Sequence, residues 1–162
     1  MIEIFEVTQV NDALAEMVAL FRVELRSYKG IASKPNIEAG REEMEEYLSA
    51  KFPVYAALVD GEYAGYVVCR VDSEVVWVES IFVREEYRRH GVATALHSKA
   101  EEIAASYGDD TVYNYVHPNN HRMIEFLRKR GYTVLNLIEI RKPYKDEKLT
   151  QMIAVGEHEF DY

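Results

Sequence analysis

The chain has 162 residues, 48% hydrophobic and 29% charged, with a formal net charge of −9. That length suits one domain with a sizeable core, and the composition is that of an ordinary globular protein. The acidic balance argues against a general nucleic-acid binder, which needs a basic surface to meet phosphates, and no apolar run is long enough to span a bilayer.

In chain order, residues 2–7 alternate weakly and predict a first strand. Asn11 is placed to cap a helix whose inward positions are Leu14, Met17, Val18, Phe21 and Leu25. Residues 27–35 are rich in breakers and read as a loop. Asn36 can cap a second helix, with Met44, Tyr47 and Leu48 inward and Glu42, Glu43, Glu45 and Glu46 mostly outward. Asp60-Gly61 is the strongest hairpin signal, between strands at 54–59 and 63–71. A tight connection at Asp72-Ser73-Glu74 leads into an apolar strand at 75–83. A helix follows from Val92, with Val92, Leu96, Ala100, Ile103 and Tyr107 on one face and Gly108 stopping it. Residues 111–116 predict a strand. His117-Pro118-Asn119-Asn120 opens a short helix with Met123, Ile124 and Leu127 inward, ended by Gly131. Residues 133–140 predict a further strand, 141–151 a charged connection, and 152–155 a last short strand. The tail from Gly156 either pairs with that strand, packs on the core or reaches a partner chain. The order β-α-α-β-β-β-α-β-α-β-β is that of an α/β protein with a mixed sheet and helices on both faces.

The N-terminal stretch is acidic and lacks the basic start and apolar block of a signal peptide, so the expectation is a cytoplasmic protein. Cys69, the only cysteine, excludes an internal disulfide and reads as a packing residue. No spacing of His, Cys, Asp or Glu reads as a metal site.

The most informative stretch is Arg88-Arg89-His90-Gly91-Val92-Ala93, a short basic turn between a strand and a helix. Such a turn aims several backbone N–H groups and the positive end of the helix at one anion. Gly91 has no Cβ, so a phosphate can approach the backbone closely, and Ala93 keeps the next inward position small. Arg84, Arg88, Arg89 and His90 form a basic cluster interrupted by Glu85 and Glu86, suited to one small anion rather than a polyanion.

The string Val83-Arg84-Glu85-Glu86-Tyr87-Arg88-Arg89-His90-Gly91-Val92-Ala93 resembles motif A of the GNAT N-acetyltransferase superfamily. That motif has Gln or Arg, two residues, Gly, one residue, then Gly or Ala, behind a valine-ended strand. Downstream, Asn120 to Tyr132 resembles motif B, where an Asn opens a helix that closes with Gly and an aromatic. The resemblance covers about residues 1–141 of a single domain spanning 1–162, with the tail outside it. It implies the acyl-CoA N-acyltransferase fold, acetyl-CoA as co-substrate and an amine as acceptor. It also implies a pyrophosphate site on the backbone amides of Arg89, His90, Gly91, Val92, Ala93 and Thr94, with Arg88 among the cofactor-binding residues. The pantetheine arm would add to the 75–83 strand along Phe82 and Val83, with Asn120 touching it from the other wall.

Acetyl transfer needs a neutral amine, and only about one lysine-like amine in a few thousand is neutral at pH 7. A base must therefore lie near the thioester. Glu79 is the candidate: it interrupts an apolar strand, where a carboxylate is costly unless it faces a polar cleft. Strict alternation places Trp77, Glu79 and Ile81 on one face and Ser80 on the other. Residues 78–83 also resemble the fourth strand of polyamine acetyltransferases, which carry a Glu at this position; a structural Glu paired with an Arg or a Tyr hydroxyl is the competing role. A backbone N–H near Phe82 and Val83 could hold the oxyanion. Many family members protonate the departing thiolate with a Tyr that here is Leu127. Tyr115 is the nearest substitute, against ordinary strand packing. His117 and His121 suit loop or cap roles.

The acceptor expected is a primary amine on a small cationic molecule or a peptide. A protein N-terminal or lysine acetyltransferase is the first rival. A fold that senses acyl-CoA without turnover is the second, kept open by Leu127. A nucleotide-binding module is weak without a Walker lysine or a full dinucleotide fingerprint. A homodimer is among the open arrangements.

Overall fold

The computed structural model describes residues 1–162, which form two compact units, Met1–His117 and Pro118–Tyr162. The first unit contains β1 (Ile2–Glu6), α1 (Asp12–Tyr28), α2 (Ile37–Ser49), β2 (Val54–Val59), β3 (Glu62–Asp72), β4 (Val75–Val83), a 3-10 turn (Glu85–Tyr87), α3 (Val92–Ser106) and β5 (Tyr113–Asn114). The second contains α4 (His121–Lys129), β6 (Met152–Val155) and β7 (His158–Asp161).

Local chemistry sets these boundaries. The Asn11 side chain accepts from Leu14 N (2.9 Å) and Asn36 from Ala39 N (3.0 Å), so both expected caps satisfy orphan amides of a first helical turn. The Asp60-Gly61 turn has both residues at positive φ, +50° and +89°, the conformation whose twist matches a two-residue hairpin. Ser73 and Glu74 repeat it at +51° and +69°.

The sheet of the first unit has order β1-β2-β3-β4-β5. Its first three pairings are antiparallel and β4–β5 is parallel. Helices α1 and α2 cover one face, where Leu14, Met17, Val18 and Met44 bury themselves against Val54, Tyr66, Val68 and Phe82. Gly40 lets the two helices meet, since a Cβ there would collide with the Ala15 carbonyl oxygen. Helix α3 covers the other face; a Cβ on Gly65 would reach Leu96 Cδ1 at 3.1 Å. Cys69 is buried, and burial pushes its thiol pKa up to about 12, as befits a packing residue.

Three expectations are corrected. Residues 133–140 form no strand: Val134, Leu135, Leu137 and Ile140 are exposed, and no neighbour supplies a ladder. The short strand expected at 152–155 is present as β6, and the tail pairs with it as β7 in an antiparallel hairpin. The fifth strand shrinks from 111–116 to Tyr113–Asn114. The inward face of α3 is rotated toward His97 and Ala104, both buried, leaving Tyr107 46% exposed at the last turn.

No helix is long and apolar enough to cross a membrane, and no group of three His, Cys, Asp or Glu is placed to hold a metal ion.

Candidate active site

The site grows from an irregularity in β4. Val68 pairs with Ser80, but the next residue, Cys69, pairs with Val78. Glu79 is therefore the extra residue of a β-bulge, a device that bends a strand and re-aims a side chain. The bulge breaks the expected alternation: Trp77 pairs with Arg70 and Ile81 with Val67, positions of opposite parity on β3. Trp77, Glu79 and Ile81 do not share one face. Ser80 instead turns to the α1–α2 side, where its hydroxyl lies 2.9 Å from that of Tyr66.

The same point ends the pairing of β4 with β5. The parallel ladder covers only Trp77↔Tyr113 and Val78↔Asn114, and beyond the bulge the edge of β4 has no strand beside it. Antiparallel ladders alternate bonded and non-bonded pairs. Arg84 N donates to Ala64 O (2.9 Å), so the neighbouring Gly65/Val83 pair turns the N–H and C=O of Val83 away from β3. By the same alternation Ile81 faces outward and Phe82 bonds inward, opposite Tyr66. The outward backbone groups expected at Phe82 and Val83 thus belong to Ile81 and Val83. Phe82 contributes its ring to the core, 6.3 Å from that of Phe21.

Glu79 and Tyr115 are brought together by a residue that sequence reasoning missed. Arg70 Nε donates to Glu79 Oε2 (3.2 Å), and an Arg70 terminal nitrogen donates to the Tyr115 hydroxyl (3.3 Å). The guanidinium carbon lies 4.3 Å from the centre of the Trp77 ring, which sits 5.6 Å from that of Tyr113. Glu79 is half-buried, and Tyr115 is exposed just past β5. On the α1–α2 side, Arg22 and Tyr47 both donate to Glu43, with Nε–Oε2 and Oη–Oε1 distances of 2.7 Å. Burial, then its bond to Glu43, raises the Tyr47 pKa well above the usual phenol value.

At the far end of β4 lies the turn that the sequence reads as an anion cradle. Gly91 caps α3 at φ +84° with no side-chain cap bond, and the first turn holds no acidic residue. The first-turn amides, at Val92, Ala93 and Thr94, have no acceptor within the helix. Arg89 adopts φ +64°, a conformation that is costly for a residue with a Cβ and recurs in anion-binding nests. Arg89 and His90 are exposed beside the turn, and Val92 is buried beneath it. The Arg88 side chain is engaged elsewhere: its Nε donates to Val83 O (2.8 Å) and its terminal nitrogen pairs with Glu24. It ties the cradle to β4 and α1. Uncapped amides, a positive helix end and no nearby first-turn carboxylate fit a phosphate group well.

Two other placements were not foreseen. His97 of α3, fully buried, reaches Asn114 Oδ1 through Nε2 (3.1 Å), and so braces the last paired rung of β4–β5. His117 stacks on Tyr28 at 5.9 Å. In the second unit Asn120 caps α4 by accepting from Met123 N (3.2 Å), and Leu127 is buried. His121 is the exposed first residue of that helix.

Comparison with known proteins converges on the same reading. The family model of the GNAT acetyltransferase family matches residues 17–132. An N-alpha-acetyltransferase of Sulfurisphaera tokodaii is 29% identical over 130 residues, 70% of this chain and 72% of that protein. The aminoglycoside N-acetyltransferase AAC(6')-Iy, solved in complex with CoA, superimposes with a TM-score of 0.63 at 22% identity, over 88% of this chain and 95% of that one. The PaiA N-acetyltransferase of Thermoplasma acidophilum, solved in complex with coenzyme A, gives 0.64 at 19% identity, over 80% and 88%. The family match over most of the chain assigns it to the GNAT acetyltransferase family, as an N-acetyltransferase that takes its acyl group from acetyl-CoA.

Proposed function

We propose that the chain acetylates a primary amine of a small cationic molecule or a peptide, in the cytoplasm, with residues 1–162 working as one catalytic domain. The observation that carries this is the bulge at Glu79, which presents a carboxylate at the point where β4 loses its parallel neighbour. Cationic acceptors fit a chain of net charge −9, and the fold is shared with aminoglycoside acetyltransferases. An N-terminal or lysine protein acetyltransferase is the second reading, favoured by the name of the archaeal relative. Assembly as a homodimer belongs to the proposal as well, supported by the uncovered apolar residues at 134–140.

In this reading the chain's groups divide the work. The amides of Arg89 through Thr94 hold the pyrophosphate, while the Arg88 side chain fixes their backbone. The outward N–H of Val83 and the outward N–H and C=O of Ile81 offer a strand edge to the pantetheine arm. Glu79 takes the proton from the acceptor's ammonium, the amine nitrogen bonds to the thioester carbonyl carbon, and the nitrogen gives up its second proton to solvent as the C–S bond breaks with its electron pair leaving on sulfur. A preorganised backbone N–H of β4 stabilises the oxyanion. Tyr115 returns a proton to the thiolate, which leaves acceptably even without one, since a thiol pKa is about 8.5. That removes the need for a tyrosine at Leu127.

The test is thermal denaturation with CoA and acetyl-CoA, followed by thiol release on a panel of polyamines, amino acids, aminoglycosides and peptides. Acetyl-CoA should raise the melting temperature, because a ligand held only by the native state stabilises it. Gly91→Asp, which adds a negative charge in the cradle, should lose the shift. No shift in the unmodified protein would refute the cradle, and a shift with no thiol released on any acceptor would favour the sensor.

A further inference from the structure

We infer that His97 is a positioning residue whose hydrogen bond to Asn114 sets the opening between β4 and β5 that receives the pantetheine arm of acetyl-CoA. The inference rests on the acetyl-CoA reading above and gives a task to a buried group which that reading leaves idle.

The sheet alone specifies this opening weakly. β4 and β5 share the rungs Trp77↔Tyr113 and Val78↔Asn114, and β5 is the edge strand, with no neighbour on its other side. A ladder that short leaves the direction of β5 to its side-chain ties. On the Arg70 side the tie is open to water: Tyr115, which Arg70 reaches at 3.3 Å, is 63% exposed. On the α3 side the tie is His97 to Asn114, with His97 fully buried. Water competes poorly for a bond in such a place, so the bond is stronger and keeps its direction. Asn114 belongs to the last rung, and the bulge residue Glu79 follows its rung partner Val78. The pair therefore acts at the point where the two strands part.

Both partners are held in the orientation the bond needs. The Asn114 amide nitrogen donates to Val112 O (3.1 Å), which leaves Oδ1 facing His97 Nε2 (3.1 Å). An amide oxygen only accepts, so Nε2 carries a ring proton. Nδ1 lies 3.4 Å from Glu101 Oε1, one turn further along α3. The first turn of this same helix is the proposed cradle, and His97 stands about 7.5 Å beyond Val92 along the helix axis. One helix thereby ties the β5 wall to the diphosphate site. A buried polar pair is no more stabilising than an apolar pair of the same shape, but its direction specifies a single arrangement. His97 is enclosed, so it meets no substrate and acts through Asn114.

The test separates the arm from the diphosphate. Acetyl-CoA carries both, and adenosine diphosphate has the diphosphate without the arm. Each is titrated into the unmodified protein, His97→Leu, Asn114→Leu and His97→Gln, with binding read from the NMR amide shifts of Gly91 and Thr94. In both leucine variants acetyl-CoA should bind about threefold to thirtyfold more weakly, the range for residues that couple to a ligand without touching it. Adenosine diphosphate should bind them as before. His97→Gln, which keeps a side-chain N–H near the place of Nε2, should recover most of the loss. In the ligand-free protein, nitrogen NMR of the His97 ring should show a proton on Nε2. Acetyl-CoA affinity unchanged in both leucine variants overturns the inference, and so does a ring protonated at Nδ1 alone. Equal weakening of both ligands overturns it too, because the pair would then support the fold and not the opening. Glutamine no better than leucine would make side-chain shape, not the bond, the cause, and would also overturn it. No acetyl-CoA binding by the unmodified protein refutes the acetyl-CoA reading first and the inference with it.

Discussion

The two units differ in how they treat their apolar side chains. In Met1–His117 the helices α1, α2 and α3 sandwich a five-stranded sheet, and nearly every fully buried residue lies there, from Val7 to Val112. In Pro118–Tyr162 Leu127 is the buried hydrophobic, while Val134, Leu135, Leu137, Ile140, Tyr144 and Met152 stand more than 60% exposed. The second unit is short, with one helix of nine residues and a hairpin of two four-residue strands. A segment that small has too little volume for its surface to enclose a core. Its internal ties are polar: Tyr162 N to Gln151 O (3.0 Å), the Tyr162 hydroxyl to Asn119 Oδ1 (3.3 Å), and Arg141 to Glu147. The first unit therefore supplies the rigid frame on which a precise site can be built, and the second leaves its apolar run exposed.

If the proposed chemistry resides in the first unit, Glu79→Gln should give the largest effect. Turnover at pH 7 should fall by about 10² to 10⁴-fold, the usual cost of losing a general base, with acetyl-CoA binding little changed. Gln keeps the size and can still face Arg70 but cannot take the proton. The deficit should shrink as pH rises, because more of the acceptor amine is then already neutral. A pH–rate profile of both proteins decides it: full turnover with an unchanged profile would leave Glu79 as a structural partner of Arg70 only.

Next in size is a contrast in stability. Met17 is fully buried between α1 and the sheet, whereas Leu137 is 81% exposed. Met17→Ala should cost about 2–5 kcal/mol in denaturant unfolding, since it removes buried contacts and leaves a cavity. Leu137→Ala, with little buried inside its own chain, should stay within about 0.5 kcal/mol when unfolding is followed at concentrations where the chain is a monomer. Equal losses would mean that the apolar run of the second unit is packed in solution.

The proposed homodimer sharpens the same contrast. Leu137→Lys places a charge in the exposed run and should lower the molar mass measured by light scattering from that of two chains to that of one. The fold of each chain should be unaffected. A single-chain mass for the unmodified protein would remove the homodimer from the proposal.

Much of the first unit was legible because its signals are local. Asn11 and Asn36 cap helices with their own side chains, Asp60-Gly61 dictates its own turn, and the strand–turn–helix around Gly91 is contiguous in sequence. What was hidden depends on register between distant segments. The bulge exists only because Val68 and Cys69 face Ser80 and Val78, and no window around Glu79 contains that fact. Arg70 reaches Tyr115 across 45 residues. The small rotation of α3 that buries His97 goes with its contact to Asn114, on a strand 17 residues away. Residues 133–140 have the β-branched composition of a strand, but a strand also needs an edge to pair with, and composition carries no information about that. The signal that could have found the bulge was the charge itself, a lone glutamate in an apolar run.

The smallest predicted effect concerns His117, at the end of the first unit. Its ring stacks on Tyr28 at 5.9 Å with an interplanar angle of 19°. Burial, and then the nearby Lys29 charge, hold its pKa below the ordinary value of 6.5. Between the two values the unfolded chain binds more protons than the folded one, so stability rises with pH. The contribution is fully present above about 6.5, the unfolded value, and is lost as pH falls through the folded value. It should be modest, because the ring keeps much of its contact with water. An NMR titration of the His117 ring protons should give a midpoint below 6.5. Lys29→Ala should move that midpoint upward only part of the way, because burial is the larger cause and remains. A midpoint at or above the ordinary value would show that the ring is not stacked in solution, and the end of the first unit would then be less ordered than its core.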